Sequence, residues 1–167
     1  MKKRRVVVGV LACVLILIVA VFVHGAWILH DTALMRAVGG DNVQNVKLLL
    51  DNGADINEHS RMLPKWTPLI AAIYGNQTNM VRYLINAGAD VNLAGSDGKT
   101  PLIWAAQFGD QDAPIVKELI ARGARLEVKD KFGATAYDYA KSAPPKPELL
   151  AILETAKREE ETNSHNK

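Results

Sequence analysis

Cysteine is almost missing from this chain: Cys13 is the only one. A single thiol forms no intrachain disulfide and builds no cysteine zinc site. An oxidising compartment therefore gives the fold nothing it needs. Histidine is limited to His24, His30, His59 and His165, and none of them pairs with another at metal-ligand spacing. Aromatic residues are scarce too, at 6% of the chain, so where they fall carries information. Charge is absent altogether between residues 6 and 30. Lys2, Lys3, Arg4 and Arg5 precede that gap, and the next charged residue is Asp31. Beyond residue 30 there are 16 basic side chains against 18 acidic ones, so the net +2 of the whole chain comes from its first five residues. No surplus of cations remains to neutralise phosphates, which argues against a nucleic-acid-binding domain.

The uncharged gap is also strongly apolar. Val6 to Val23 contains nothing more polar than Gly9 and Cys13. About 20 helical residues cross a hydrocarbon core of roughly 30 Å, so residues 6–29 read as one transmembrane anchor. Residues 1–5 then form a basic cytoplasmic tail, and the positive-inside rule sends the rest of the chain across the bilayer. In a bacterium with two membranes that places the following domain in the periplasm, on a single-pass inner-membrane protein. The competing reading is a cleaved signal peptide, with a poor cleavage site near Val23-His24-Gly25-Ala26 and a secreted or periplasmic product. The mean hydropathy near zero averages this segment with a soluble domain and describes neither.

The remainder repeats itself. Val46 to Asn57, Val81 to Asn92 and Val116 to Glu127 align, with Gly53, Gly88 and Gly123 spaced 35 and 35 apart. Upstream of each lies a second block: Thr32-Ala-Leu-Met35, Thr67-Pro-Leu-Ile70 and Thr100-Pro-Leu-Ile103, with a weaker copy in Thr135-Ala-Tyr-Asp138. The threonines are spaced 35, 33 and 35. Threonine before proline is a helix start, because the hydroxyl caps free amides and proline at the first helical position forfeits no bond. The following helix has a small-residue face. A second helix carries an apolar stripe, and glycine ends it in the left-handed conformation. Two such helices cannot bury their apolar faces alone, but stacked copies can.

These residues resemble the ankyrin repeat family from about residue 31 to about residue 158. Thr100-Pro-Leu-Ile-Trp-Ala-Ala-Gln-Phe-Gly109 and Asn86-Ala-Gly-Ala-Asp-Val-Asn92 lie close to its pattern. The resemblance implies an all-α solenoid of about four helix-turn-helix repeats over residues 30–158, followed by a flexible tail at 159–167. One departure is consistent. The family usually places histidine after Thr-Pro-Leu, where it ties the loops of adjacent repeats. Met35, Ile70, Ile103 and Asp138 stand there instead, so apolar packing is expected to replace that network in three copies. The last helix is expected to run from Glu148 to Arg158, with Leu149, Leu150, Ile152, Leu153 and Ala156 on its apolar face.

A search for chemistry finds none. No Gly-rich phosphate loop follows a strand, and the aspartates Asp51, Asp55 and Asp90 recur at repeat positions, which marks them as structural. The expectation is a non-enzyme with no cofactor, no metal and no small-molecule substrate. What remains is recognition of a protein partner. The resemblance implies docking on a concave face made by loop tips and the ends of the first helix of each repeat. Carried over to this chain, the partner-binding candidates are Leu63, Trp66, Tyr74, Lys99, Phe108, Lys131 and Phe132. Aromatic residues supply many of the largest losses on truncation at interfaces, about 2 kcal/mol or more each. Tyr74 and Phe108 have a second reading, as rings that cover the stack between adjacent helices. Trp104 reads as part of the helix layer. The loop from Asn57 to Thr67 is two residues longer than its counterpart from Asn92 to Thr100 and lacks the Asp-Gly turn. The expected function is a membrane-tethered, non-catalytic adaptor, with an immunity-type inhibitor of a toxin delivered to the periplasm as the alternative and an unrecognised enzyme as a distant one.

Overall fold

A computed structural model describes residues 31–61, 64–108, 113–142 and 144–165. The expected anchor at residues 6–29 lies outside them. Among the described residues no helix is long and apolar enough to cross a membrane, and no strand is present.

The described chain is a run of helix pairs: α1 (Ala33–Gly39) with α2 (Val43–Asp51), α3 (Pro68–Tyr74) with α4 (Thr78–Asn86), α5 (Pro101–Phe108) with α6 (Ala113–Ala121), and α7 (Ala136–Lys141) with α8 (Pro147–His165). The first members α1, α3, α5 and α7 pack successively on one another as an inner layer. The second members pack behind them, with α4 on α6 and α6 on α8.

Local chemistry sets each start and stop. The hydroxyls of Thr32, Thr67, Thr100 and Thr135 accept from the amides of Met35, Ile70, Ile103 and Asp138 at 3.1, 3.2, 3.3 and 3.3 Å. Each cap satisfies an amide that the helix itself leaves unpaired. After the second helices, Gly53, Gly88 and Gly123 adopt φ of 87°, 96° and 85°, which reverses the chain without a Cβ penalty.

The repeated apolar positions form one core. Leu34, Leu69 and Leu102 are buried in the inner layer, and Val46, Val81 and Val116 in the outer one. Met35, Ile70 and Ile103 are buried as well, so the place usually held by histidine is core in three repeats. In the fourth, Asp138 closes a capping box: its carboxylate accepts from the Thr135 amide at 2.8 Å. The ties between repeats are made elsewhere. Asn57 Oδ1 accepts from the Asp90 amide at 2.8 Å, and Asn92 Oδ1 accepts from the Arg125 amide at 2.8 Å. Asn92 also donates to the Gly123 carbonyl at 2.9 Å.

One boundary differs from the sequence reading. Helix α8 continues past Arg158 to His165. Its apolar face does end there, and residues 157–162 are exposed. The helix persists because Lys157-Arg-Glu-Glu-Glu161 contains good helix formers and no breaker.

Candidate functional site

The loops that precede α3, α5 and α7 form a row along one edge of the inner layer. Each closes on itself: the Ser60 amide donates to the Trp66 carbonyl at 2.8 Å, Gly95 to Lys99 at 3.1 Å, and Asp130 to Ala134 at 3.0 Å. Each also binds the next. The amide of Ser96 donates to the Pro64 carbonyl at 2.7 Å, and that of Lys131 to the Asp97 carbonyl at 3.0 Å. Two residues before the capping threonine, the second and third loops place Gly98 and Gly133, both at φ 79°. The first loop places Lys65 there, at φ 52°. A residue with a Cβ in that conformation costs roughly 1–2 kcal/mol.

The rings that the sequence distributes over two repeats meet in space. Trp66, from the first loop, contacts Tyr74 at the far end of α3 with ring centroids 4.5 Å apart. Trp104 makes T-shaped contacts with both, at 5.3 Å from Trp66 and 5.8 Å from Tyr74. Phe108 stacks on Trp104 at 5.6 Å and meets Tyr74 at 5.3 Å. The result is one continuous strip from the loop row to the helix ends. Trp104 is its buried hub, at 7% exposure, while Tyr74 and Phe108 remain 51% and 47% exposed. The indole N–H groups of Trp66 and Trp104 are buried and meet no oxygen acceptor among the described residues.

Lys99 occupies a different place from the other candidates. It is only 8% exposed. Its ammonium sits 4.8 Å from the centroid of Trp104 and 4.6 Å from that of Tyr139, and donates to Gln107 Oε1 at 2.6 Å. Trp104 and Tyr139 each stand four residues after a capping threonine, so equivalent positions of adjacent repeats form the two walls of a slot for one cation. Tyr139 in turn donates its hydroxyl to Asp130 Oδ2 at 2.6 Å. Asp130 Oδ1 accepts from the amides of Phe132 and Ala134 at 2.9 and 3.0 Å. Burial works to raise the Asp130 pKa. The bonds from Tyr139, Ala134 and Phe132, with the charge of Lys99, outweigh it and hold the carboxyl below its ordinary value. Burial and the same carboxylate push the Tyr139 phenol up to about 12. Behind this group, Lys146 donates to the carbonyls of Ala106 and Gln107 at 2.9 and 2.8 Å, closing the end of α5.

Of the predicted residues, Trp66, Tyr74 and Phe108 are thus brought together. Phe132 and Lys131 sit exposed on the third loop tip, Phe132 at 81%. Leu63 lies outside the described residues. Trp104, Tyr139 and Asp130 were not among the candidates, although the repeat register alone pairs Trp104 with Tyr139. No group of three or more His, Cys, Asp or Glu side chains among the described residues is placed to hold a metal.

A family model described as ankyrin repeats in three copies matches residues 9–95 and 34–130. The chain belongs to the ankyrin repeat family. No curated protein matches it. As an ankyrin stack it is a protein-binding scaffold, of a family whose repeats are typically non-catalytic.

Proposed function

We propose that this chain is an adaptor held at the inner membrane by residues 6–29, with its ankyrin stack in the periplasm and a protein partner on the concave face. The observation that carries the docking site is the strip Trp66–Tyr74–Trp104–Phe108, in which two half-exposed rings rest on a buried hub. Monomeric proteins rarely expose contiguous aromatic surface without a use for it. The membrane reading is supported by the uncharged residues 6–30 and the four cations before them.

Crosslinked pull-down from native membranes, read by mass spectrometry, tests the docking site. Tyr74→Ala combined with Phe108→Ala should weaken capture of the major partner at least tenfold, with circular dichroism unchanged. Undiminished capture by the folded variant would move the site elsewhere. Alkaline phosphatase fused after Lys167 should be active, and an inactive fusion beside an active cytoplasmic reporter would reverse the topology. The mass of the mature chain separates a retained anchor from a cleaved signal. An immunity-type inhibitor of a toxin delivered to the periplasm is the second reading. It requires a toxin gene alongside and toxicity when this gene alone is deleted.

A further inference from the structure

The charges of the ankyrin stack are used differently on its two sides. Among the described residues, the outer helices and the turn beside them carry the ion pairs Arg82–Glu118, Lys117–Glu148, Lys157–Glu127 and Arg158–Glu154. The loop row shows the opposite arrangement. Its carboxylates are already occupied by donors of the chain itself. Glu58 accepts from the Thr32 hydroxyl, Asp97 from the Lys99 amide at 3.1 Å, and Asp130 from Tyr139 and two amides. Lys65 and Lys131, by contrast, are exposed and form no ion pair among the described residues. Each is followed directly by an aromatic residue, Trp66 or Phe132. Lys65 moreover holds a left-handed backbone where both later loops use glycine. The chain keeps a cation at that tip although glycine would relieve the conformation.

Resting on the docking surface proposed above, we infer that the partner contributes an acidic segment: an extended peptide whose carboxylates face Lys65 and Lys131 and whose large apolar side chain packs on Tyr74 and Phe108. The loop row offers positive charge with its own acids already engaged, and the adjoining strip offers half-exposed rings. A ligand complementary to both carries negative charge beside an apolar anchor. Exposed cations of this kind act chiefly on encounter and selection, and salt screens them.

The test pans a displayed random peptide library against the full-length chain in phosphatidylcholine nanodiscs. Enriched sequences should combine Asp or Glu with Trp, Phe or Leu. A synthetic peptide of the enriched sequence should bind about tenfold more weakly, or worse, to the Lys65→Glu, Lys131→Glu variant, with less salt dependence. Panning against that variant should enrich basic residues instead. Lys65→Gln with Lys131→Gln gives the same direction with smaller loss and guards against misfolding, as does a circular dichroism spectrum of each variant. Peptides lost on Tyr74→Ala, Phe108→Ala but indifferent to the lysine changes would overturn the acidic partner and leave the docking surface standing. Peptides indifferent to both sets would overturn the docking surface as well. Failure to enrich any peptide, or binding to phosphatidylglycerol vesicles that the lysine reversal abolishes in place of peptide binding, would also overturn it, the latter in favour of a lipid surface.

Discussion

Asp130 offers the sharpest test of how the third loop and the cation slot are held together. The residue is 6% exposed, and its carboxylate takes three hydrogen bonds: Oδ1 from the amides of Phe132 and Ala134, Oδ2 from the Tyr139 hydroxyl. A bond to a charged group contributes about 1.5–3 kcal/mol net. The Phe132 side lies beside solvent, so its amide is rehydrated when the acceptor is removed. The Tyr139 hydroxyl is partly buried, next to Lys99, and loses more. Asp130→Ala should therefore cost about 2–4 kcal/mol, well short of the sum over three bonds. Asp130→Asn keeps one oxygen for the two amides and turns its amide group toward a phenol that can rotate to accept. It should cost about 1 kcal/mol, because bonds to a neutral acceptor are weaker than bonds to a carboxylate and the smaller attraction to Lys99 is lost as well.

The assay is urea unfolding followed by circular dichroism, with the midpoint compared at constant slope. The two variants differ in their acid behaviour as well. The Asp130 pKa is lowered in the folded chain, so its contribution is fully present above the unfolded value and is lost as pH falls through the folded one. The gap between the native chain and Asp130→Asn should therefore close on acidification. Three results would refute this account: a cost below about 0.5 kcal/mol for alanine, an asparagine variant as unstable as the alanine one, or a gap that widens in acid.

Three further changes probe other parts of the surface. Lys65→Gly should stabilise the stack by about 0.5–1 kcal/mol, the relieved left-handed strain less the entropy that glycine adds to the unfolded chain, while weakening any acidic ligand; a lower urea midpoint would contradict it. Lys146→Met leaves the carbonyls of Ala106 and Gln107 without their charged donor and should cost about 1–2 kcal/mol in the same melt. Tyr139 has a folded pKa of about 12 against an ordinary 10.0, so the stability linked to its neutral form is present below pH 10 and lost as pH rises through 12. After discounting for solvent screening, the native chain should lose about 1–2 kcal/mol more than Tyr139→Phe across that window, and equal losses would deny the shift.

The parts of this fold that were legible in the sequence are those set by a few neighbouring residues. A capping threonine, a following proline and a left-handed glycine each act within one turn, so Thr67, Pro68 and Gly88 mark boundaries without knowledge of the rest. The apolar face of α8 was equally plain from Leu149, Leu153 and Ala156. Its length was not. Apolar periodicity measures where a helix touches the core, and α8 runs on beyond that contact on the helix preference of its glutamates. Register also placed Trp66, Tyr74 and Phe108 on one surface, and they do touch.

What escaped the sequence are properties of two repeats taken together. Lys99 reads as a loop-tip cation because it stands in the turn directly before a capping threonine. It is buried because its own repeat and the one after it both carry a large ring at the fourth position beyond the threonine. Ala71 stands there in the second repeat, Trp104 in the third and Tyr139 in the fourth. Only between the last two do large rings face each other, so only there does an ammonium find two faces, Gln107 and a nearby carboxylate at once. The inter-repeat ties follow the same logic. With Met35, Ile70 and Ile103 in the core, the polar link moves to Asn57 and Asn92, whose side chains reach amides 33 residues on. That leaves the edge carrying Lys65, Lys99 and Lys131 joined mainly through backbone, from Pro64 to Ser96 and from Asp97 to Lys131. A ladder made of backbone fixes the spacing of the loop tips while leaving their side chains open to vary. Selection can therefore change what this surface binds, at the exposed Lys65, Lys131 or Phe132, without loosening the stack that presents it.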